Sequence, residues 1–311
     1  MKQRKSDILW KVVMEEVFAD LLRFIFPDAD KVYNMERGFE FLDKELAELD
    51  PRPDEGKDSR FADKLVKVYH RDGTEECILV HVEVQGDTSE RAKFAERMYE
   101  YFYRIRDRYR KPVLAVAIFT GQDGRHIPGR YTYEYRGTKL TYEFSSLSIL
   151  DYSDEELEAS DNPFAQVVLA ARTSLLEGKI PERDLLERKL LIANKLFKKG
   201  FSQKKIRAIF VFLENYVLFE DPEMNRIFRV RIQPQVKNNF MTIDELEKYL
   251  AKEEGIEEGL AEGIEKGREE ERRLLVENLS SGTDFSAERI ASLVGVTVDF
   301  VNKVRSRQMA E

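Results

Sequence analysis

Residues 61–85, FADKLVKVYHRDGTEECILVHVEVQ, place Asp63 ahead of an Asp72-Gly73 turn and Glu83 and Gln85 behind it. Two apolar-rich runs flank Arg71-Asp72-Gly73-Thr74, which predicts a β-hairpin. Successive strand side chains point to opposite faces, so Asp63 shares a face with Leu65, and Glu83 shares one with His81 and Gln85. A hairpin that pivots on Gly73 sets position 63 opposite position 83, with Cβ atoms about 4.5–5.5 Å apart. At neutral pH carboxylates that close must share a proton, recruit a cation or bind a metal, and an oxygen-ligand site suits Mg²⁺ or Mn²⁺. His81, on the Glu83 side of its strand, reads as a hydrogen-bonded core residue rather than a general base.

The flanking sequence predicts the elements that must hold this hairpin. Asp7 is the candidate N-cap of a first helix, in which Leu9, Trp10, Val13, Val17, Leu21, Leu22 and Ile25 recur at helical spacing until Pro27. Phe39 to Leu49 reads as a strand or strand-like segment, and the Pro- and Gly-rich stretch from Pro51 to Gly56 as a loop. From Ser89 to Arg110 the stripe Phe94, Met98, Phe102 and Ile105 predicts a helix, and the almost continuously apolar Val113 to Phe119 a strand covered on both faces. The order is therefore helix, three strands, helix, strand. Tyr131 to Tyr135 and Lys139 to Phe144 alternate around Arg136-Gly137, which predicts a second hairpin extending the sheet, its aromatic residues used for packing. Helices near 163–177, 182–199 and 202–217 follow and carry no catalytic constellation.

The segments DILWKVVMEEVFADLLRFIFPD, ADKLVKV, HVEVQ and FAERMYEYFYRIRDRYRKPVLAVAIFTG resemble the PD-(D/E)XK nuclease superfamily. Within it they resemble most the recombination-promoting nuclease and putative transposase (Rpn) family, over roughly the first half of the chain. The resemblance implies an α/β fold with a restriction-endonuclease-like core, αβββαβ with a mixed sheet, followed by an all-helical C-terminal region. It implies a Mg²⁺- or Mn²⁺-dependent endonuclease that hydrolyses DNA phosphodiester bonds in recombination, mobile-element movement or phage defence. Asp63 and Glu83 would be catalytic metal ligands, joined by the backbone carbonyl of Val84 and by Glu16 or Glu15 of the first helix. Gln85, where the superfamily usually has Lys, would orient the water or a phosphate oxygen through its amide. Arg97, Tyr101, Arg104 and Arg108 stand at offsets of four, three and four, so they line one helix face suited to a phosphate backbone or to supporting the site. Set against this are pairing of Arg97 with a carboxylate and packing of Tyr101 on the sheet. The alternative reading, from a different class, is a nuclease-fold module kept for nucleic-acid binding or protein interaction.

Composition narrows the classes. The 311 residues are 42% hydrophobic, enough for a core, with no run approaching the roughly 18 apolar residues of a membrane span. No signal peptide is apparent, so a cytoplasmic protein is expected. The single cysteine, Cys77, excludes an intramolecular disulfide and a Cys-based zinc cluster, and three scattered histidines argue against an all-His metal site. A net charge of -8 argues against general coating of nucleic acid while leaving room for a local basic groove.

The expected division is a nuclease-like domain at 1–153, a helical domain at 154–240, a charged glycine-repeat helix or linker at 241–278 and a helix-turn-helix-like tail at 279–311. Gly255, Gly259, Gly263 and Gly267 recur at a four-residue interval, which suits either a helix side approached by a second copy or a charged linker. In the tail, Ser286 and Thr297 are candidate caps, and Asn302, Lys303, Arg305 and Arg307 are candidate DNA contacts. The resemblance also implies a separate, inhibitory short C-terminal product, with Met241 as its candidate start.

Overall fold

The computed structural model describes residues 2–49, 61–83, 91–121, 129–239, 259, 263, 266–267 and 269–308. Two compact units divide the chain, Met1–Leu246 and Glu247–Glu311.

The first unit begins with α1 (Lys2–Ile25), a short α2 (Ala29–Val32), β1 (Glu40–Phe41) and α3 (Asp43–Glu48). Next come β2 (Phe61–Tyr69), β3 (Glu75–Glu83), α4 (Arg91–Tyr109), β4 (Val113–Phe119), β5 (Arg130–Tyr135), β6 (Thr138–Glu143) and β7 (Ser145–Ser148). The helices α5 (Asp154–Ala159), α6 (Pro163–Ser174), α7 (Glu182–Lys198), α8 (Gln203–Tyr216) and α9 (Pro222–Asn239) complete it. The chain is thus an α/β protein with a mixed five-stranded sheet in the order β1-β2-β3-β4-β7. Its first two pairings are antiparallel and its last two parallel.

Alternation along β2 and β3 sorts their residues into two rows. Leu65, Cys77 and Leu79 share a core with Phe94, Met98, Tyr101 and Ile105 of α4 and with Ala115, Ala117 and Phe119 of β4. The other row, with Val66, Val68, Ile78 and Val80 fully buried, faces α1. Burial pushes the Cys77 thiol up, as expected of a cysteine used for packing.

Several elements differ from the sequence expectation. Asp7 does not cap α1, which starts at Lys2 and buries Asp7 at 4% exposure. Phe39 to Leu49 is mostly helical, because Leu42 N–H donates to Leu65 O and ends a two-residue strand beside β2, after which α3 turns away. The second hairpin does not extend the main sheet. β5 and β6 pair only with each other, and β7, too short to stand out in the sequence, takes the edge beside β4.

The boundary expected at 153/154 crosses packed structure. α1 packs against α6 and α8 as well as against β2, so the sheet and the helices share one unit. Trp10 of α1, fully buried, meets the ring of Phe212 edge-on at 4.9 Å and that of Tyr216 at 6.0 Å.

In the second unit, α10 (269–282), α11 (Ala287–Val294) and α12 (Val298–Gln308) close over Val276, Ile290, Ala291, Val301 and Val304. Ser286 Oγ accepts from Arg289 N–H at 3.3 Å and Thr297 Oγ1 from Phe300 N–H at 3.2 Å, so both candidate caps serve as caps. Gly295, at φ +71°, ends α11 in the left-handed conformation that glycine adopts without strain. Arg305 is taken up inside the unit, donating to Ser280 Oγ at 3.1 Å and Phe285 O at 2.8 Å, while Asn302 and Lys303 are exposed. A Cβ added at Gly259, Gly263 or Gly267 would meet nothing within 4 Å in this chain. Gly255 and Met241 lie outside the described residues.

Candidate functional site

The turn between β2 and β3 sets the register of the candidate site. Tyr69 pairs with Glu75, leaving a five-residue loop, His70–Thr74, closed by His70 N–H to Thr74 O at 2.9 Å. Asp72 Oδ1 accepts from Thr74 N–H at 2.9 Å and from Thr74 Oγ1 at 2.6 Å, and Gly73 takes φ +87°. These bonds centre the turn on Asp72 rather than Gly73, which shifts the pairing by two residues. Asp63 therefore stands opposite His81, and Glu83 stands opposite Phe61. The expected direct pairing of 63 with 83 is corrected to a diagonal one.

A diagonal pair on one row has Cβ atoms about 7 Å apart or less. At metal–oxygen distances of about 2.0–2.1 Å that separation is within the joint reach of an Asp and a Glu, so the register leaves a shared divalent ion geometrically open. The register also pairs Glu83 with Phe119 of β4. Val84 and Gln85 lie outside the described residues. Among the residues whose side chains are described, no group of three or more His, Cys, Asp or Glu converges, and that set does not include Asp63, His81 or Glu83.

Glu15 and Glu16 are placed differently from the expectation. Glu15 accepts from Lys64 Nζ, and Lys64 belongs to the row of β2 that faces α1, opposite in parity to Asp63. Glu16 is exposed on α1. The buried ammonium of Lys64, 1% exposed, also donates to Asp43 Oδ2 at 2.5 Å. Burial pushes the Asp43 carboxyl above its ordinary value, against the opposing pull of Lys64. This cluster is absent from the sequence expectation. Its signal was a lysine in the same row as Val66 and Val68, where an unpaired charge could not remain.

On α4 the expected stripe divides. Arg97 is buried at 7% exposure, with its guanidinium carbon 5.5 Å from the centroid of the Phe94 ring. Phe94 meets the Phe119 ring at 5.3 Å, and Phe119 holds the strand position paired with Glu83. Tyr101 is core, packed on the sheet, as the alternative reading of that residue had it. Arg104, half-buried, donates to Leu49 O at 3.3 Å, and Arg108 is exposed with its guanidinium 5.8 Å from the Tyr109 ring. Burial of Tyr101 breaks the stripe as a continuous phosphate track, because a helix that packs its 94, 98, 101 and 105 positions turns position 101 inward.

Fold and site together define an α/β protein with two acidic strand positions in diagonal register. Compared with protein-family models, curated proteins and solved structures, the chain matches none. Among the described residues no helix is long and apolar enough to cross a membrane.

Proposed function

We propose that the chain is a metal-dependent nuclease of the PD-(D/E)XK type acting on DNA, with Asp63 and Glu83 as its ligands for Mg²⁺ or Mn²⁺. The observation that carries the reading is the β2–β3 register, which sets Asp63 and Glu83 on one row, two residues out of step, at the end of the sheet where α4 starts. When bound, a divalent ion supplies Lewis-acid stabilisation and an activated water for phosphodiester hydrolysis. Asp63 and Glu83 provide the charge that binds it. Gln85 orients a water or a phosphate oxygen, and since an amide carries no charge, the cation that Lys would supply comes from Arg97. Its buried, planar guanidinium suits a phosphate oxygen pair better than an ammonium would.

The test is nicking of supercoiled DNA by the purified protein with Mg²⁺ or Mn²⁺. Asp63→Ala and Glu83→Ala should abolish it while leaving the far-ultraviolet circular dichroism and the unfolding midpoint unchanged. Undiminished nicking by either variant would overturn the assignment.

A further inference from the structure

The β5–β6 hairpin has one face docked at its root and open at its tip. Tyr131 pairs with Tyr142, Tyr133 with Leu140 and Tyr135 with Thr138, so alternation puts these six on one face. At the root, Tyr131 stacks on Tyr99 of α4 with ring centroids 5.3 Å apart, and its hydroxyl donates to Glu96 at 3.3 Å. Tyr142 is buried against Tyr99 and Phe102. Farther out, Tyr133 and Tyr135 remain 45% and 59% exposed. Neighbouring large aromatic rings left in water on one rigid face mark a surface that meets something else.

The tip adds charge in a fixed position. Arg136 and Gly137 both take positive φ, +47° and +89°, the pattern of the tight turn that matches strand twist. Arginine is an uncommon choice at such a backbone angle, where asparagine or glycine sits with less strain. Its guanidinium carbon lies 5.8 Å from the centroid of Tyr135. Arg130 and Lys139 are exposed on the opposite face of the ribbon, where Lys139 pairs with Glu134 at 2.8 Å and Arg130 stands opposite Glu143. The helix on which the ribbon roots ends in RIRDRY over 104–109, and Arg110 and Lys111 follow it, Arg110 pairing with Asp107 and Lys111 with Glu75, in a chain whose net charge is -8.

Stacking rings beside cations is the chemistry that holds a single strand of nucleic acid, because each unstacked base offers a π-face and each nucleotide a phosphate. Residues two apart on a strand lie about 6.8 Å apart, and stacked bases rise by about 3.4 Å, so one base fits between two such rings. We infer that the distal half of the β5–β6 hairpin is a binding ribbon for single-stranded nucleic acid, with Tyr133 and Tyr135 as stacking platforms and Arg136 as the phosphate partner. The choice of ligand rests on the nuclease reading above; the ribbon lies apart from Asp63 and Glu83 in sequence and in sheet.

The experiment is fluorescence-anisotropy titration of a labelled single-stranded oligothymidylate with the full chain, in EDTA so that no hydrolysis occurs. Tyr133→Ala and Tyr135→Ala should each weaken binding about tenfold, and Tyr133→Phe with Tyr135→Phe should bind as the parent does. Arg136→Ala should lower the salt dependence of the affinity. Binding by the alanine variants equal to that of the parent, or no binding by the parent, would overturn the inference. Loss of a concentration-dependent dimer in the alanine variants, with oligonucleotide affinity unchanged, would also overturn it and assign the face to a second copy. Cleavage by Asp63→Ala refutes the nuclease reading and leaves the ribbon standing, because the anisotropy titration in EDTA does not depend on hydrolysis.

Discussion

Lys64 Nζ lies 2.5 Å from Asp43 Oδ2, and the same ammonium is shared with Glu15, so one buried charge ties β2 to both α3 and α1. Removing one partner of a buried pair strands the other without compensation, typically at a cost of about 3–5 kcal/mol. Lys64→Ala should therefore lower the stability of the first unit by about 3 kcal/mol, read as a shift in the urea unfolding midpoint. Adding Asp43→Asn should restore part of the loss. A Lys64→Ala variant as stable as the parent would show that the pair adds nothing.

Arg97 separates structure from chemistry. If its guanidinium acts on a phosphate oxygen, Arg97→Lys should reduce cleavage about a hundredfold while the unfolding midpoint moves little, because an ammonium keeps the charge but loses the two-pronged donor. Equal nicking rates for Arg97→Lys and the parent would make Arg97 a packing residue on Phe94.

Asp154 predicts an acid-dependent loss of stability. Its Oδ1 accepts from Arg172 Nε and its Oδ2 from Arg188 Nη1, each at 2.9 Å. Partial burial works to raise this carboxyl, and the two guanidiniums outweigh it, holding the carboxyl below its ordinary value of 3.8. The stabilisation is complete above that ordinary value and is lost as pH falls through the lower, folded one. Asp154→Asn should cost about 2 kcal/mol at pH 7. The gap between variant and parent should close below pH 3.8, as followed by thermal unfolding at a series of pH values.

Lys189 predicts a rise in stability with pH on the alkaline side. Its ammonium is fully buried and donates to Glu214 O at 2.9 Å and Val217 O at 2.7 Å, carbonyls at the C-terminal end of α8, beside the rings of Phe219 and Phe228. Burial pushes its pKa down to about 7, with Glu214 and Glu177 pulling it up and Arg229 down. The folded state then gives up a proton that the unfolded state keeps until about 10.5, so stability should rise with pH between those values. Lys189→Met removes this rise, and it leaves two buried carbonyls unpaired at about 1–3 kcal/mol each. A parent whose stability is flat from pH 7 to pH 10 would contradict the assignment.

The long periodic elements were legible before any coordinates. The apolar stripe at Phe94, Met98 and Ile105 fixed α4, and the unbroken run from Val113 to Phe119 fixed β4 as a strand buried on both faces. What escaped depended on contacts between distant residues or on a side chain's local choice. The two-residue shift in the β2–β3 pairing turns on Asp72 accepting from Thr74, which the Asp-Gly signal does not encode. The placement of Glu15 depends on Lys64, 49 residues away. β7 gains strand geometry from pairing with β4, since SSLS has little strand preference of its own.

Because Trp10 reaches from the sheet's covering helix into the aromatic layer of Phe212 and Tyr216, neither half can be lifted out intact. A fragment cut after the sheet would present a bare indole and its apolar surroundings to water. Recombination of this scaffold with foreign helical partners would therefore succeed only where the incoming segment brings its own ring-lined socket. The seam between sheet and helical layer is in this sense a lock as well as a joint, and drift on one side constrains drift on the other.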